Sequence, residues 1–510
     1  MTVTQFPEML HDAAGVRELD RRAIEQAGIA GETLMVRAGE AAFRRLQEHW
    51  PDCQAPAVIC GAGNNGGDGY VVALLAQNAG LHPQVYTTVA IEYLRGDART
   101  MAERALAEGV PVTVLADVLP DLSGHDLVVD GLLGTGLSGT VRPALAALIR
   151  HINASDLPLL ALDIPSGLSA DTGAELGAAL RADVTATFVG MKRGLLTGAG
   201  PALTGQLYFE DLAIPESVQH SLSADCRMVQ IDQLARLLPP RRRDAHKGDH
   251  GHVLVVGGDH GYAGAVLLAA EAAARSGAGL VSVATRPEHV TALVGRRPEI
   301  MVRGVEHGDD LEPLLKRTSV VVCGPGLGLD AWGFGLLGKV LASGLPLVLD
   351  ADALNLIARH QLHWQAPAVL TPHPGEAARL LNSDSRTVQD DRFAAVHELA
   401  SRYQSTVLLK GAGTLIGCTD QPVALVHAGN PGMASGGMGD VLSGIIGALL
   451  GQGLGPYDAA RFAALVHGLA ADRAVLHQGE RGLLATDLLP HVRRLLNGFE
   501  HRVIAQGISG

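Results

Sequence analysis

The sequence predicts an α/β protein of two domains in tandem, each a parallel sheet between two layers of helices (αβα). Three observations carry this. Its 510 residues exceed the ~250 to 300 at which a single hydrophobic core stops growing. Short apolar runs bounded by Gly, Pro or Asp alternate with longer helical patterns from about position 56 onward, as buried parallel strands and crossover helices do. The alternation lapses once, from about 215 to 248, and then resumes.

The first domain is expected over 1–222. Two amphipathic helices, 15–27 and 32–49, precede strands over 57–60, 84–89, 127–130, 159–163 and 186–189. The second is expected over 228–500, with strands over 253–256, 281–284, 320–323, 347–350, 369–371 and 407–410, followed by long helices over 437–450 and 458–477. Apolar residues make up 47% but aromatics only 4%, so burial must rest on Ala, Val, Leu and close backbone approach through 63 glycines.

A formal net charge of −13 opposes a nucleic-acid partner, whose affinity rests on Lys and Arg neutralising phosphates. The one basic cluster, Arg241 to Arg243, follows Pro239 and Pro240 and reads as a solvated connector. Five scattered cysteines form no C-x-x-C pair, which suggests a reducing compartment and neither disulfides nor a zinc site. The N-terminal segment is acidic rather than basic and apolar, and no run reaches the ~18 clean apolar residues of a membrane span. A cytoplasmic protein without a membrane partner is expected.

The segment Ala57-Val-Ile-Cys-Gly-Ala-Gly-Asn-Asn-Gly-Gly-Asp-Gly-Tyr70 reads as strand, glycine turn and helix, with Gly61, Gly63 and Gly66 at G-x-G-x-x-G spacing. Such a start can face a phosphate, but it can equally be a tight βα turn. Two features oppose an ordinary dinucleotide fingerprint. Asp68 would sit in the first helical turn beside the pyrophosphate, and no acidic residue ends the strand at 84–89. Asn64 and Asn65 add side-chain oxygens to the loop, and later strand ends supply Asp130, the glycine loop 134–140, Asp163 and Ser166. Any one of these Asp residues could be a cap or turn; together at successive strand ends they form a candidate crevice.

The motifs Gly61-Ala-Gly-Asn-Asn-Gly-Gly-Asp-Gly-Tyr, Asp130-Gly-Leu-Leu-Gly-Thr-Gly and Asp163-Ile-Pro-Ser-Gly resemble those of the NAD(P)H-hydrate epimerase family, over about 10–215. The resemblance implies a Rossmann-like domain. It implies that Asn64, Asn65, Gly66, Gly67, Asp68, Gly134, Thr135, Gly136, Leu137, Ser138, Gly139, Thr140 and Asp163 hold the hydrated nucleotide, NADHX or NADPHX. It also implies that Asn65, Asp130 and Ser166 hold K⁺, for which oxygen-only ligands are suited. Asp163 is the expected proton-transfer group for loss and re-addition of the ring hydroxyl.

In the second domain, Gly436-Gly-Met-Gly-Asp440 opens a largely apolar helix. Free N–H groups at such a start can stabilise charge on a transferring phosphoryl group, with Asp440 placed to take a proton, although Asp440 could instead complete an N-cap. Gly257 to Ala265, Gly324 to Gly328, Thr371 to Glu376 and Lys410 to Thr414 each close an expected strand. His373 and Glu376 have metal-compatible spacing, but with no third ligand in sequence a water-held Mg²⁺ near phosphates is favoured over zinc.

The Gly-x-Gly-Asp helix start resembles the ribokinase-like fold, and the full set looks like its ADP-dependent NAD(P)H-hydrate dehydratase branch, over about 228–497. By that resemblance Ala265, Gly326, His373 and Asp440 contact the hydrate, while Lys410, Gly411, Ala412, Gly413, Thr414 and Gly439 hold the adenine nucleotide. His373 stands where sugar and vitamin kinases of this fold carry Asn. The expectation is therefore a bifunctional nicotinamide-nucleotide repair enzyme, an isomerase fused to a lyase that consumes ADP. A homo-oligomer is expected from the resemblance alone. The competing readings are a hydroxymethylpyrimidine- or sugar-type kinase fused to a nucleotide-binding regulatory domain, and a first domain that only senses a nucleotide.

Overall fold

Central strands buried on both faces build each sheet in the computed structural model, which describes residues 6–116 and 118–498. The chain divides into two units, Met1–Cys226 and Arg227–Gly510. The expected outer bounds at positions 1 and 500 lie outside the described residues.

In the first unit, helices α1 (Ala13–Glu25) and α2 (Gly31–His49) precede a parallel sheet of seven strands. These are β1 (Pro56–Cys60), β2 (Gln84–Thr87), β3 (Val112–Val114), β4 (Leu127–Gly131), β5 (Leu159–Leu162), β6 (Val184–Phe188) and β7 (Gln206–Glu210). Their order is β3-β2-β1-β4-β5-β6-β7, so the chain reverses direction of travel between β1 and β4. That reversal opens a crevice at the carboxyl ends of the strands, and the order is Rossmann-like. Helix α3 (Asn64–Asn78) follows β1 and is almost wholly buried.

Two of these strands are absent from the sequence expectation. β3 has two exposed residues of three and β7 begins exposed, because both are at or next to sheet edges and lack a continuous apolar run. The expected strand over 84–89 stops at Thr87, and that over 159–163 stops at Leu162.

In the second unit the strands are β8 (His252–Val256), β9 (Leu280–Thr285), β10 (Met301–Gly304), β11 (Val320–Cys323), β12 (Leu347–Leu349), β13 (Ala368–Leu370), β14 (Thr406–Leu409), β15 (Thr414–Cys418) and β16 (Gln421–Val426). They pair in the order β16-β15-β14-β13-β12-β11-β8-β9-β10. All pairs are parallel except those of the β14-β15-β16 meander. Helices α4 (Ala263–Arg275) and α5 (Met438–Gly451) lie side by side on this sheet. Gly444 makes the approach possible, since a Cβ there would stand 2.1 Å from the Ala269 carbonyl oxygen. Among the described residues no helix is long and apolar enough to cross a membrane.

Candidate active sites

The register of the first sheet aligns the ends of its central strands. Ile59 pairs with Asp130 and Asp130 with Ala161, so the Gly61 loop, Asp130 and Asp163 emerge side by side. Gly66 is required at the turn, because a Cβ there would lie 2.1 Å from the Gly61 carbonyl oxygen. A cavity of about 640 Å³ opens above these ends. Asn64, Asn65, Asp68 and Asp163 line it, as do Gly134, Thr135, Gly136, Leu137, Ser138 and Thr140 of the loop after β4. Gly139 is not part of that lining, and Gly66 and Gly67 are buried beneath it.

Two details correct the sequence reading. Asn64 and Asn65 are the first residues of α3 rather than loop residues, and Asp68 therefore falls beyond the first turn. The helix begins at an N-cap glycine, Gly63, with no side-chain cap, which leaves its first N–H groups to a ligand.

Below the cavity Asp130 and Ser166 are fully buried. The Ser166 hydroxyl donates to Asp130 Oδ1 at 2.6 Å, and the Ser166 and Leu132 amides donate to Asp130 Oδ2 and Oδ1 at 2.8 and 3.1 Å. Burial nevertheless pushes the Asp130 carboxyl up to about 6. Asn65 Nδ2 donates to the Leu133 carbonyl at 3.1 Å, whereas Asn65 Oδ1 is buried with no hydrogen-bond partner. An orphaned buried oxygen beside a destabilised carboxylate fits an oxygen-coordinated monovalent cation, whose charge would relieve both.

Asp163 adopts a left-handed backbone, φ +65°, as β5 ends. Its Oδ1 accepts from the ammonium of Lys192, from the Phe188 amide at 3.2 Å and from the Thr187 hydroxyl at 3.4 Å. Lys192 is completely buried yet lines the cavity, and Asp20 of α1 joins it there. Burial, with the Asp163 charge adding, raises the Asp20 carboxyl to about 6 despite Lys192. Burial and the Asp163 and Asp20 charges hold Asp68 well above the ordinary carboxylate range. Neither Lys192 nor Asp20 belongs to the glycine motifs that mark the site in sequence: Asp20 lies within α1, and Lys192 comes four residues after β6.

In the second unit β8, β11, β12, β13 and β14 also end together. Helix α5 starts at Gly437, φ +88°, again without a side-chain cap, so Asp440 is not spent as an N-cap. A Cβ on Gly439 would lie 3.4 Å from Lys410 Nζ and 3.6 Å from Asp350 Oδ2, which places Gly439, Lys410 and Asp350 in one cluster. Burial, followed by the Asp350 charge, raises Asp440 to about 7. Lys410 is held above its usual range: burial would lower it, and the Asp350 and Glu376 charges outweigh that.

Gly326, φ +54°, is packed against Tyr262 and Ala265, since a Cβ there would be 2.6 Å from Tyr262 Cβ and 3.4 Å from Ala265 Cβ. His373 caps the helix Pro374–Leu381: its Nδ1 accepts from the Gly375 amide at 3.0 Å while Glu376 accepts from the His373 amide at 2.8 Å. The His373 side chain is half-exposed, with its Nε2 3.4 Å from Glu376 Oε1. The Lys410 to Thr414 loop is folded around buried Arg392, whose guanidinium donates to the carbonyls of Leu409, Lys410 and Gly413 at 3.2, 3.3 and 3.4 Å. Burial lowers that guanidinium to about 10. Asp350, Ser443 and Arg392 were not singled out from sequence; the strand-end Asp in Leu349-Asp-Ala-Asp352 was the available signal for the first. Among the described residues no group of three His, Cys, Asp or Glu side chains is placed to hold a metal.

An uncapped helix start above a buried oxygen cradle, followed by a second uncapped start beside a Lys and a near-neutral Asp, defines a two-site nucleotide-handling enzyme. Residues 31–194 match the family described as YjeF-related protein N-terminus, and 253–494 match that described as NAD(P)H-hydrate dehydratase. A Coxiella burnetii protein, bifunctional NAD(P)H-hydrate repair enzyme Nnr, is 50% identical over 492 residues, covering 96% of this chain and 99% of that one. Its Escherichia coli namesake is 45% identical over 497 residues, covering 96% and 95%. A solved ribokinase-like superfamily protein from Enterococcus faecalis is 31% identical with a TM-score of 0.50, covering 55% of this chain and 98% of that one. The chain belongs to the bifunctional NAD(P)H-hydrate repair enzyme family.

Proposed function

We propose that the first unit interconverts the R and S epimers of NADHX and NADPHX, and that the second dehydrates the S epimer to NAD(P)H at the expense of ADP, yielding AMP and phosphate. The observation that carries the reading is the pairing of Asp440, raised to about 7, with an uncapped helix start and Lys410. A carboxylate poised near neutrality is matched to taking a proton from a hydroxyl.

In the first unit Asn64 to Asp68, the loop 134–140 and Asp163 bind the hydrate, and Asp163 moves the proton as the ring hydroxyl leaves and returns. Asn65, Asp130 and Ser166 would hold K⁺, which supplies a fixed positive charge beneath the nucleotide. In the second unit Ala265, Gly326, His373 and Asp440 contact the hydrate. Lys410, Gly411, Ala412, Gly413, Thr414 and Gly439 bind the adenine nucleotide. Asp440 deprotonates the hydroxyl, the α5 N–H groups stabilise charge on the transferring phosphoryl group, and the ring nitrogen then expels phosphate. Mg²⁺ would be held through water and diphosphate oxygens. A cytoplasmic homo-oligomer is part of the same reading.

Mixed epimers supplied with ADP and Mg²⁺, and followed by absorbance of the reduced ring, provide the test. Complete recovery is expected. Recovery that stops at the S fraction would remove the epimerase, and no recovery would overturn the whole reading. A kinase fused to a regulatory domain would give no reduced ring at all.

A further inference from the structure

The cavity of the first unit contains more proton-handling chemistry than Asp163 alone. Lys192 has three N–H donors, and all three are committed: to Asp163 Oδ1, to the Thr187 hydroxyl at 3.0 Å and to the Phe188 carbonyl at 2.7 Å. It therefore has no donor left for substrate. Among the described residues, every hydrogen bond to the Asp163 side chain is accepted by Oδ1. Asp20 arrives from a different element, α1, lines the same cavity and makes no side-chain hydrogen bond to another described residue.

We propose that Lys192 is a positioning residue that locks Asp163 through Oδ1 and turns Oδ2 to the substrate, and that Asp20 is the second proton-transfer group of the epimerisation. This rests on the epimerase reading of the cavity.

Inversion at one carbon through loss of hydroxide needs two groups, an acid for the leaving oxygen and a base for the returning one. In one direction the Asp20 carboxyl gives its proton to the hydroxyl oxygen. The C–O bond breaks with its electron pair on oxygen, water departs, and the ring-nitrogen lone pair forms C=N⁺. Water then adds to the opposite face, its oxygen forming the new C–O bond and the C=N⁺ pair returning to nitrogen. Asp163 Oδ2 accepts the released proton, which returns to Asp20 through solvent before the next turn. The opposite direction exchanges the two roles.

The charges fit this division. Asp163 has the Lys192 ammonium on one oxygen, while Asp20 is raised to about 6 by burial and by Asp163, against Lys192. Asp68, Asp97, Arg17 and Arg142 are the other charged side chains on the cavity wall.

The test uses the full-length protein without ADP, with epimer interconversion measured by chromatography across pH and folding followed by thermal melting. Wild-type interconversion is the control for the epimerase reading; if it is absent, that reading fails and not this one. Asp20→Asn should slow interconversion ~100-fold and abolish the fall in wild-type rate as pH rises through about 6. Lys192→Met should lower kcat ~100-fold with KM little changed, because binding contacts remain while proton transfer is misaligned. Asp20→Asn at wild-type rate and pH profile, or folded Lys192→Met with unchanged kcat, overturns the proposal. If Lys192→Met loses the melting transition of the first unit, Asp20→Asn alone decides.

Discussion

Lys410 Nζ lies 2.9 Å from Asp350 Oδ1, while the other oxygen of Asp350 accepts from the Ser443 hydroxyl at 2.6 Å. One buried carboxylate at the end of β12 thereby ties the lysine that ends β14 to α5, one turn beyond Asp440. The lysine charge is kept in the site without being free to swing, and the start of α5 is anchored.

Removing that carboxylate leaves a largely buried ammonium whose remaining ionic partner is the Glu376 carboxylate 3.8 Å away. Asp350→Ala should destabilise the second unit by about 3 to 5 kcal/mol, the usual cost of breaking a buried pair by deleting one partner. Thermal melting measures it, and a loss no larger than that of a surface Asp→Ala control would contradict the arrangement described.

Asp440→Asn should reduce dehydration by ~100-fold or more, with ADP binding nearly unchanged, since the group acts on a proton. In the wild type, activity should rise as pH climbs through about 7, because the base works in its ionised form. Stability runs the other way. The folded chain holds this proton more tightly than the unfolded chain, so its contribution is present below the ordinary Asp range and is lost as pH rises to about 7. Asp440→Asn should accordingly melt higher than wild type at pH values above that, and a lower melting temperature there would refute the assignment of strain to this carboxyl.

Potassium should raise the melting temperature of the first unit relative to sodium at equal ionic strength, as a ligand of the folded state alone does. Asn65→Ala removes the one oxygen in the cradle that has no internal partner. The variant should show no difference between the two salts; a retained difference would place any bound cation elsewhere.

Gly444→Ala tests the packing that supports the second site. A Cβ 2.1 Å from the Ala269 carbonyl oxygen must push α4 and α5 apart. The expected cost is about 1 to 3 kcal/mol, read by denaturant unfolding, with little loss of activity per folded molecule.

Much of both sites was legible because the chemistry sits where strands end. β1, β4, β5, β11, β12 and β14 are continuous apolar runs, so their ends, and with them Asp130, Asp163 and Lys410, could be read directly. β3 and β10 were not, because edge strands alternate with solvent and carry little hydrophobic signal. The β15 and β16 hairpin was hidden behind the glycines of the preceding loop. Asn64 and Asn65 read as loop because their polarity conceals a helix start whose cap is a glycine.

By itself the sequence determined two α/β cores, the glycine starts of two buried helices and the family to which the motifs belong, because local periodicity and short-range turn chemistry are written in neighbouring residues. Tertiary structure alone decided that Lys192 faces Asp163, that Asp20 enters their cavity, that Arg392 organises the Lys410 loop and that Asp350 holds Lys410. These pairs are separated by 29, 60 or more positions, or lie on different elements. Their chemistry arises from burial, which makes an ion pair or an unpaired oxygen costly enough to matter, and burial belongs to the packed chain rather than to any stretch of it.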